Sequence, residues 1–523
     1  MPARSGKQYI DSLKALNPEI YLNGRRISNV TDEPTFAGAI RSVAEQYDLQ
    51  LDPRYIDICT YEKPDGERVS RSFQESRSME DLVAKRRHFK LRADHSFGLM
   101  GRSPDFMNAF VLSWVRMAPV YASLDERFGE NVIRYYEYVR DNDLFLTHVL
   151  VNPAIDRSKK SSEQEDPFVH LGKIRETDEG IIVRGAKMLG TMAPLTEELV
   201  VVPFGGVAPG DDNYALVFSL PIDTPGLKFI CREPISVGDR TEFDHPLSSR
   251  FEEMDCIAIF DDVLVPWDRV LADGRPGSRD VVNSVLSGGA EASVLMVTGS
   301  RGLASLEFLC GLATKIADAT GIDGFLHVQE KLGELVYKLE SMRTMYYGSE
   351  AMASELPDGR WIPYMPGLMA FHMQTAPLHR RMIEVIQILA AGNFFYAPSS
   401  GDFANEELRP LIERFVVGRP GVGAEERTRL YKLAWDVAGD GFGQRVMQYV
   451  NYYSGDPVRM TAAVYLAADK PSLREPVLRA LAGSLESQNI PLSPEHLTNA
   501  PPPPPSEPLV GMYPAASMPG SNT

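Results

Sequence analysis

The sequence predicts a mixed α+β protein built in three successive parts: an N-terminal helical domain over residues 1–143, an antiparallel β-barrel domain over 144–275 and a C-terminal helical bundle over 276–487. Three observations predict this order. Apolar residues recur at helical spacing through the first third. Near residue 145 the texture changes to short apolar runs separated by turn residues. From about residue 283 the helical pattern returns in long segments with short links. A chain of 523 residues is also too long for one compact core and calls for two or three packed domains.

In the first part, Phe36, Ile40, Val43 and Tyr47 mark one helix face, and Phe128, Val132, Tyr135 and Val139 mark another. Ser78, with Asp81 three positions on, reads as the capped start of a charged helix running through Arg86, Phe89 and Leu91. The middle part holds strand-length runs at 146–151, 180–185, 199–204, 214–220, 227–231 and 256–260. They are rich in β-branched and aromatic residues and punctuated by Gly, Pro and Asp. No helical pattern alternates with them, so a parallel βαβ sheet is not expected, and an antiparallel barrel or sandwich is. The last part offers helical segments at 303–319, 327–353, 378–391, 425–437 and 457–466. Residues 488–523 contain the run Pro501–Pro505 and continue rich in Pro, Ser, Gly and Met. Such a composition does not bury a core, and this tail is expected to be disordered.

The chain carries 54 Lys and Arg against 71 Asp and Glu, a formal net charge of −17. An acidic surface repels phosphate backbones, so nucleic acid is not an expected partner. The start of the chain has no apolar segment of the secretory kind, and no run is long enough to span a bilayer. A cytoplasmic protein without membrane partners is expected. Cys59, Cys231, Cys256 and Cys310 lie far apart and read as buried, reduced thiols rather than a disulfide framework or a zinc site.

Several chemistries are disfavoured by absent motifs. No phosphate-cradling G-x-G-x-x-G follows a strand, and Gly421-Val-Gly423 lacks its third glycine. No P-loop, G-x-S-x-G elbow or H-E-x-x-H is present. His372 and His379 are seven apart without a neighbouring carboxylate, so no metal is expected there.

Four segments are more particular than scaffold requires. Gly98-Leu-Met-Gly-Arg-Ser-Pro-Asp-Phe106 brings backbone close to a ligand and aims Arg102 at an anion or phenolate; a helix-to-helix turn with a structural ion pair reads the same way. His148, in the apolar stretch 147–157, is a satisfied core histidine or a catalytic base. The stretch 184–191 is a strand ending in small residues and the Thr191 hydroxyl. The stretch 435–460 places small residues and polar tips at helix ends, as a phosphate or ribose contact or ordinary capping would.

In this order the segments resemble the large component of the 4-hydroxyphenylacetate 3-monooxygenase family. The resemblance runs from Gly6-Lys-Gln-Tyr-Ile-Asp-Ser-Leu13 to about Leu466. It rests on Met100-Gly-Arg-Ser-Pro-Asp105, Gly180-Ile-Ile-Val-Arg-Gly-Ala186, His245-Pro-Leu-Ser-Ser-Arg250 and Phe260-Asp-Asp-Val-Leu-Val-Pro-Trp267. His327-Val-Gln-Glu-Lys-Leu-Gly-Glu334, Phe442-Gly-Gln-Arg445 and Ser454-Gly-Asp-Pro-Val-Arg459 continue it.

The resemblance implies an acyl-CoA dehydrogenase-like fold, assembled as a homotetramer that is a dimer of dimers. It implies FAD, received as FADH2 from a separate NAD(P)H:flavin reductase. It also implies O2 as co-substrate, a C4a-hydroperoxide, and hydroxylation of a phenol, usually ortho to its hydroxyl. By the same resemblance Arg102 and His148 are the catalytic pair at the phenolic oxygen. His148, Val149, Leu150, Ala154, Ile155, Asp156, Arg157 and Thr191 are flavin contacts, as are Tyr453, Ser454, Gly455 and Asp456. The substrate site would take in Arg102, Phe106, His148, Phe204 and Gly205.

Two departures bear on the substrate. The 4-hydroxyphenylacetate enzymes typically carry tyrosine where this chain has Phe106, and thermophilic members grip the substrate carboxylate with a Ser-Thr pair where this chain reads Pro203-Phe-Gly-Gly206. A different or more apolar aromatic is therefore expected: a nitrophenol, a halophenol or a carrier-tethered phenol. The alternatives are an acyl-CoA dehydrogenase or dehydratase on the same fold, or a flavin-binding protein without catalysis.

Overall fold

A computed structural model describes residues 3–203, 205–235, 241–287, 292–453 and 455–482. The tail at 488–523, Phe204 and Ser454 lie outside the described residues.

The N-terminal helices form where the periodicity places them. Phe36, Ile40, Val43 and Tyr47 are buried on the helix Pro34–Leu49, and Phe128, Val132, Tyr135 and Val139 on Glu126–Asn142. Ser78 caps the helix Met79–His95 by accepting from the Asp81 backbone N–H at 3.0 Å.

The β region is two open sheets, and the expectation of a closed antiparallel barrel is corrected on two points. The larger sheet has six strands in the order Arg25–Ile27, Glu19–Leu22, Leu227–Cys231, Cys256–Pro266, Gly180–Lys187, Gly172–Glu176. The smaller has four, in the order Val270–Asp273, Leu216–Pro221, Glu198–Val201, Leu146–Val149. Two pairings are parallel: Glu19–Leu22 with Leu227–Cys231, and Leu146–Val149 with Glu198–Val201. The first two strands come from the part of the chain read as helical. They are only four and three residues long, too short for alternation to register. Their turn is nonetheless legible, because Asn23 and Gly24 both take positive φ, as a tight hairpin requires.

The helix Ala292–Thr320 runs 29 residues and is buried along most of its length. It packs against Met79–His95 and Pro104–Val115 on one side, and against Leu326–Ala351 and Met365–Ala390 on the other. It begins well before the periodic stretch at 303, because a helix buried all round has no polar face to reveal its period. Met365–Ala390 likewise starts earlier than residue 378, running through Pro377 in its interior. The four cysteines are free and buried. Among the described residues, no helix is long and apolar enough to cross a membrane.

Candidate active site

The loop Gly98–Ser103 joins the helices Met79–His95 and Pro104–Val115. Its glycines permit close approach. Gly98 has φ +65°, and a Cβ there would lie 2.2 Å from the carbonyl oxygen of Arg301. A Cβ on Gly101 would lie 2.2 Å from the Tyr449 ring. The loop is thereby pressed between Ala292–Thr320 and the helix Gly441–Tyr452. Asp105 ties its far end down, with His88 Nε2 at 3.2 Å and Arg92 Nη1 at 3.1 Å. Arg301 donates from Nη1 to the Gly98 carbonyl at 3.1 Å.

Arg102 is 9% exposed. Its backbone N–H donates to Glu253 Oε1 at 2.5 Å, and its Nη1 to the Tyr449 hydroxyl at 2.6 Å. The guanidinium carbon lies 4.2 Å from the centre of the Phe106 ring, while its buried Nε has no hydrogen-bond partner among the described residues. Phe106 meets His148 edge-on at 5.6 Å, and Phe110 meets it at 5.9 Å. Arg102, Phe106 and His148 thus form one cluster, although 46 positions separate the first from the last.

His148 is buried on the strand Leu146–Val149, with Nδ1 unpartnered among the described residues. Burial in apolar surroundings, reinforced by the nearby Arg102 charge, lowers its pKa to about 3. The imidazole is therefore neutral at neutral pH and offers an acceptor or a donor rather than a charge.

The expected flavin contacts fall into two groups. Next to His148, the Thr147 hydroxyl donates to the Thr191 carbonyl at 2.6 Å, and a Cβ on Gly190 would lie 3.3 Å from Val149. Leu189 and Met192 flank this point with φ of +63° and +66°. Left-handed backbone in non-glycine residues marks strain of the kind held at ligand sites. Leu189 is 57% exposed and Ile155 58%. Asn152 Oδ1 is buried without a partner among the described residues. Exposed apolar side chains beside unpartnered polar atoms suit a flat group with mixed edges, so the residues present fit FAD. Ala154 and Arg157 are exposed; Val149 points into the core and could meet a ligand only through its backbone. Asp156 accepts from Ser158 and shapes its own turn.

The second group lies across the site. Tyr453 stacks on Tyr449 at 5.9 Å and lies 3.1 Å, hydroxyl to Nδ1, from His372. Gly455 takes φ +106°, and Asp456 caps the helix Pro457–Ala467. Gly205 is held near Arg459, whose Nη1 would be 2.6 Å from an added Cβ; no contact of Gly205 with Arg102 is seen.

Glu253 and Asp255, which the sequence did not single out, and Arg445, which it marked only as the end of a family-like string, join these pieces. Glu253 is buried; one oxygen accepts from the Arg102 backbone and the other pairs with Arg445 Nη1. Arg445 also donates to both oxygens of Asp255, at 2.7 and 3.0 Å, and Asp255 Oδ1 accepts from the Thr191 hydroxyl at 2.7 Å. Burial pushes the Asp255 carboxyl up, but Arg445 outweighs it and brings the pKa down to about 2. The network therefore runs from the Arg102 loop to Thr191 without a break. Sequence spacing had no means of linking residues 102, 191, 253 and 445; only the string ending at Arg445 hinted at it. His372 and His379 are buried core side chains bonded to Leu295 and Ser305 neighbours. Elsewhere His245, Asp436 and Asp440 approach one another within 4.8 Å, with Asp436 already accepting from Leu247 and Ser248.

Comparison with known proteins matches both halves of the chain to one family. The model described as 4-hydroxyphenylacetate 3-hydroxylase N terminal matches residues 5–272, and the C-terminal model matches 288–482. The 4-hydroxyphenylacetate 3-monooxygenase oxygenase component of Thermus thermophilus is 39% identical over 92% of this chain and 98% of its own length. The oxygenase component of a Rhodococcus 4-nitrophenol 2-monooxygenase is 34% identical, covering 86% of each chain. A crystal structure of a 4-hydroxyphenylacetate 3-monooxygenase oxygenase component with FAD and 4-hydroxyphenylacetate aligns with a TM-score of 0.86 at 39% identity, over 93% of this chain and all of that one. With both halves matched and the glycine-rich arginine loop, the buried histidine and the strained threonine turn gathered at one site, this chain belongs to the 4-hydroxyphenylacetate 3-hydroxylase family.

Proposed function

We propose that this protein is the oxygenase component of a two-component flavin-dependent monooxygenase. It would take reduced FAD from a separate NAD(P)H:flavin reductase and use O2 to hydroxylate a phenol beside its hydroxyl. One observation carries the reading: Arg102, Phe106 and His148 meet in a buried cluster whose Arg102 Nε and His148 Nδ1 have no hydrogen-bond partner among the described residues. Bound reduced FAD supplies the activation of O2. The chain's own residues do the rest. Arg102 holds the phenolic oxygen and favours its ionised form. Neutral His148 accepts the phenol's hydrogen bond at a ring nitrogen and orients the hydroxyl, while the Arg102 charge and the apolar wall keep the imidazole itself uncharged. Phe106 and Phe110 cover one side and keep water away.

The substrate site is less polar than 4-hydroxyphenylacetate asks for, since Phe106 brings no hydroxyl. A nitrophenol, a halophenol or a carrier-tethered phenol suits it better. The buried cysteines weigh against an iron–sulphur dehydratase, as the one metal-spaced group among the described residues contains no cysteine. The division into an N-terminal helical domain, a β domain and a C-terminal bundle is proposed to be acyl-CoA dehydrogenase-like. The homotetramer is supported by exposed apolar residues on the last two described helices, among them Val458 at 78% and Leu481 at 76%. A cytoplasmic location is proposed from the composition alone.

The test is stopped-flow mixing of anaerobically reduced FAD and protein with oxygenated buffer, with and without a panel of phenols. The proposal expects one phenol to yield hydroxylated product in step with flavin reoxidation. Reoxidation at the rate of free FADH2, with hydrogen peroxide as the sole product from every phenol, would refute it.

A further inference from the structure

Two aromatic rings flank the Arg102 guanidinium: Phe106 at 4.2 Å and Tyr449 at 5.4 Å. Only the second carries a hydroxyl. That hydroxyl accepts from Arg102 Nη1 at 2.6 Å, and its own proton has no acceptor among the described residues. A phenol O–H whose oxygen already accepts from a cation is polarised into a stronger donor.

The surroundings preserve this state. Besides Arg102, the guanidinium groups of Arg301 and Arg445 lie 5.1 and 5.2 Å from the ring centre. Burial raises the pKa of Tyr449, and the three arginines only partly oppose it, so the hydroxyl keeps its proton at neutral pH. Gly101 leaves room for the ring against the loop, since any Cβ there would overlap it. Tyr453, stacked on the other side, fixes the ring plane. Sequence, packing and charge therefore converge on one free, strengthened O–H beside the group that is proposed to hold the substrate oxygen.

We infer that Tyr449 is a substrate-holding and specificity-determining residue: its hydroxyl, anchored on Arg102, donates to the oxygen of the bound phenol and so supplies the hydrogen bond that Phe106 lacks. The inference rests on the proposed oxygenase function and deepens it. No bond is made or broken in this role. The phenol's proton is given up to the buffer as pH rises, with neutral His148 accepting only its hydrogen bond beforehand, and the Tyr449 O–H and the Arg102 N–H groups face the resulting phenolate. Because the donor comes from the helix Gly441–Tyr452 rather than from Pro104–Val115, the phenolic oxygen is approached from the side of the flavin-contact stretch at 453–456. The Phe106 side is left apolar, which selects for phenols with a bulky or apolar flank.

The test uses the full-length chain and 4-nitrophenol, whose ionised form absorbs visible light. Binding and the ionisation of the bound phenol are followed against pH, first without flavin and then with oxidised FAD. Tyr449→Phe is expected to weaken binding about tenfold or more and to raise the pH at which the bound phenol ionises. Adding Phe106→Tyr to that variant returns the lost hydroxyl from the other side and is expected to restore part of both. Where Tyr449→Phe does not fold, 3-fluorotyrosine at position 449 keeps the packing and makes a stronger donor, so the bound phenol ionises at lower pH. Unchanged binding and ionisation in Tyr449→Phe, or no shift with fluorotyrosine, overturns the role of Tyr449 even if the wild type hydroxylates phenols. A wild-type chain that takes up no phenol overturns the oxygenase reading and this inference together.

Discussion

Arg102 and Arg445 are both withdrawn from solvent on neighbouring segments, yet they are treated in opposite ways. Arg445 faces two carboxylates, Glu253 and Asp255, and pairs with both. Arg102 faces two aromatic rings and a hydroxyl, and its buried Nε has no partner among the described residues. No side-chain carboxylate pairs with its guanidinium among the described residues; Glu253 reaches only its backbone N–H. A buried cation fully paired holds structure together, whereas one left short of partners waits for an anion. The two arginines are joined through Glu253, so the satisfied one fixes the position of the unsatisfied one.

The largest effect that would break this contrast is at the satisfied end. Arg445→Met removes the one cation paired with the Glu253 carboxylate among the described residues and leaves Asp255 with Arg232 and the Thr191 hydroxyl, and is expected to cost about 3–5 kcal/mol of stability. Urea unfolding followed by circular dichroism measures it, and a loss below about 1 kcal/mol would show that the network is not scaffold. Arg102→Met is expected to do the reverse. Its folding midpoint should hold, because the Glu253 bond runs to the backbone, while product formation falls about 10²–10³-fold, as for a lost preorganised donor. Single-turnover assays at saturating phenol check this, and comparable loss of stability in both variants would erase the distinction.

The smallest effect sharpens it with a third cation. Lys187 is buried, its Nζ donates to the Leu150 carbonyl at 3.2 Å, and no carboxylate pairs with it among the described residues. Burial lowers its pKa from 10.5 to about 7. The native state therefore binds fewer protons than the unfolded chain between those values, and stability rises as pH increases through that window. The benefit is fully present above pH 10.5 and is lost as pH falls toward 7. Lys187→Met removes the dependence and is expected to raise stability near neutral pH. Melting temperatures of both proteins across pH 7 to 10 should converge at the alkaline end; parallel curves would mean that Lys187 keeps an ordinary pKa.

What was legible followed from local physics. Helical periodicity located Pro34–Leu49 and Glu126–Asn142, and the Ser78 cap located the start of Met79–His95, because one buried face imprints its period on neighbouring residues. The glycines of the Arg102 loop and the apolar setting of His148 were visible for the same reason. The hairpin at Asn23-Gly24 was legible in principle, but its strands were too short to catch. The start of Ala292–Thr320 was not legible, because a helix buried on all sides has no contrast to read.

The sequence by itself determined the order of helical and strand-rich segments, the acidic surface, the candidate roles of Arg102, His148 and Thr191, and the family likeness. Only the tertiary structure decided how the strands of the β region divide into a six-stranded and a four-stranded sheet. It alone brought Cys231 opposite Cys256 across paired strands, Glu253 and Arg445 between Arg102 and Thr191, and the Tyr449 hydroxyl onto Arg102. The reason is physical. Periodicity and turn chemistry act over a few residues and leave local marks, whereas pairing across 150 or 350 positions is set by which buried polar groups find partners once the chain has packed, and no spacing rule encodes that choice.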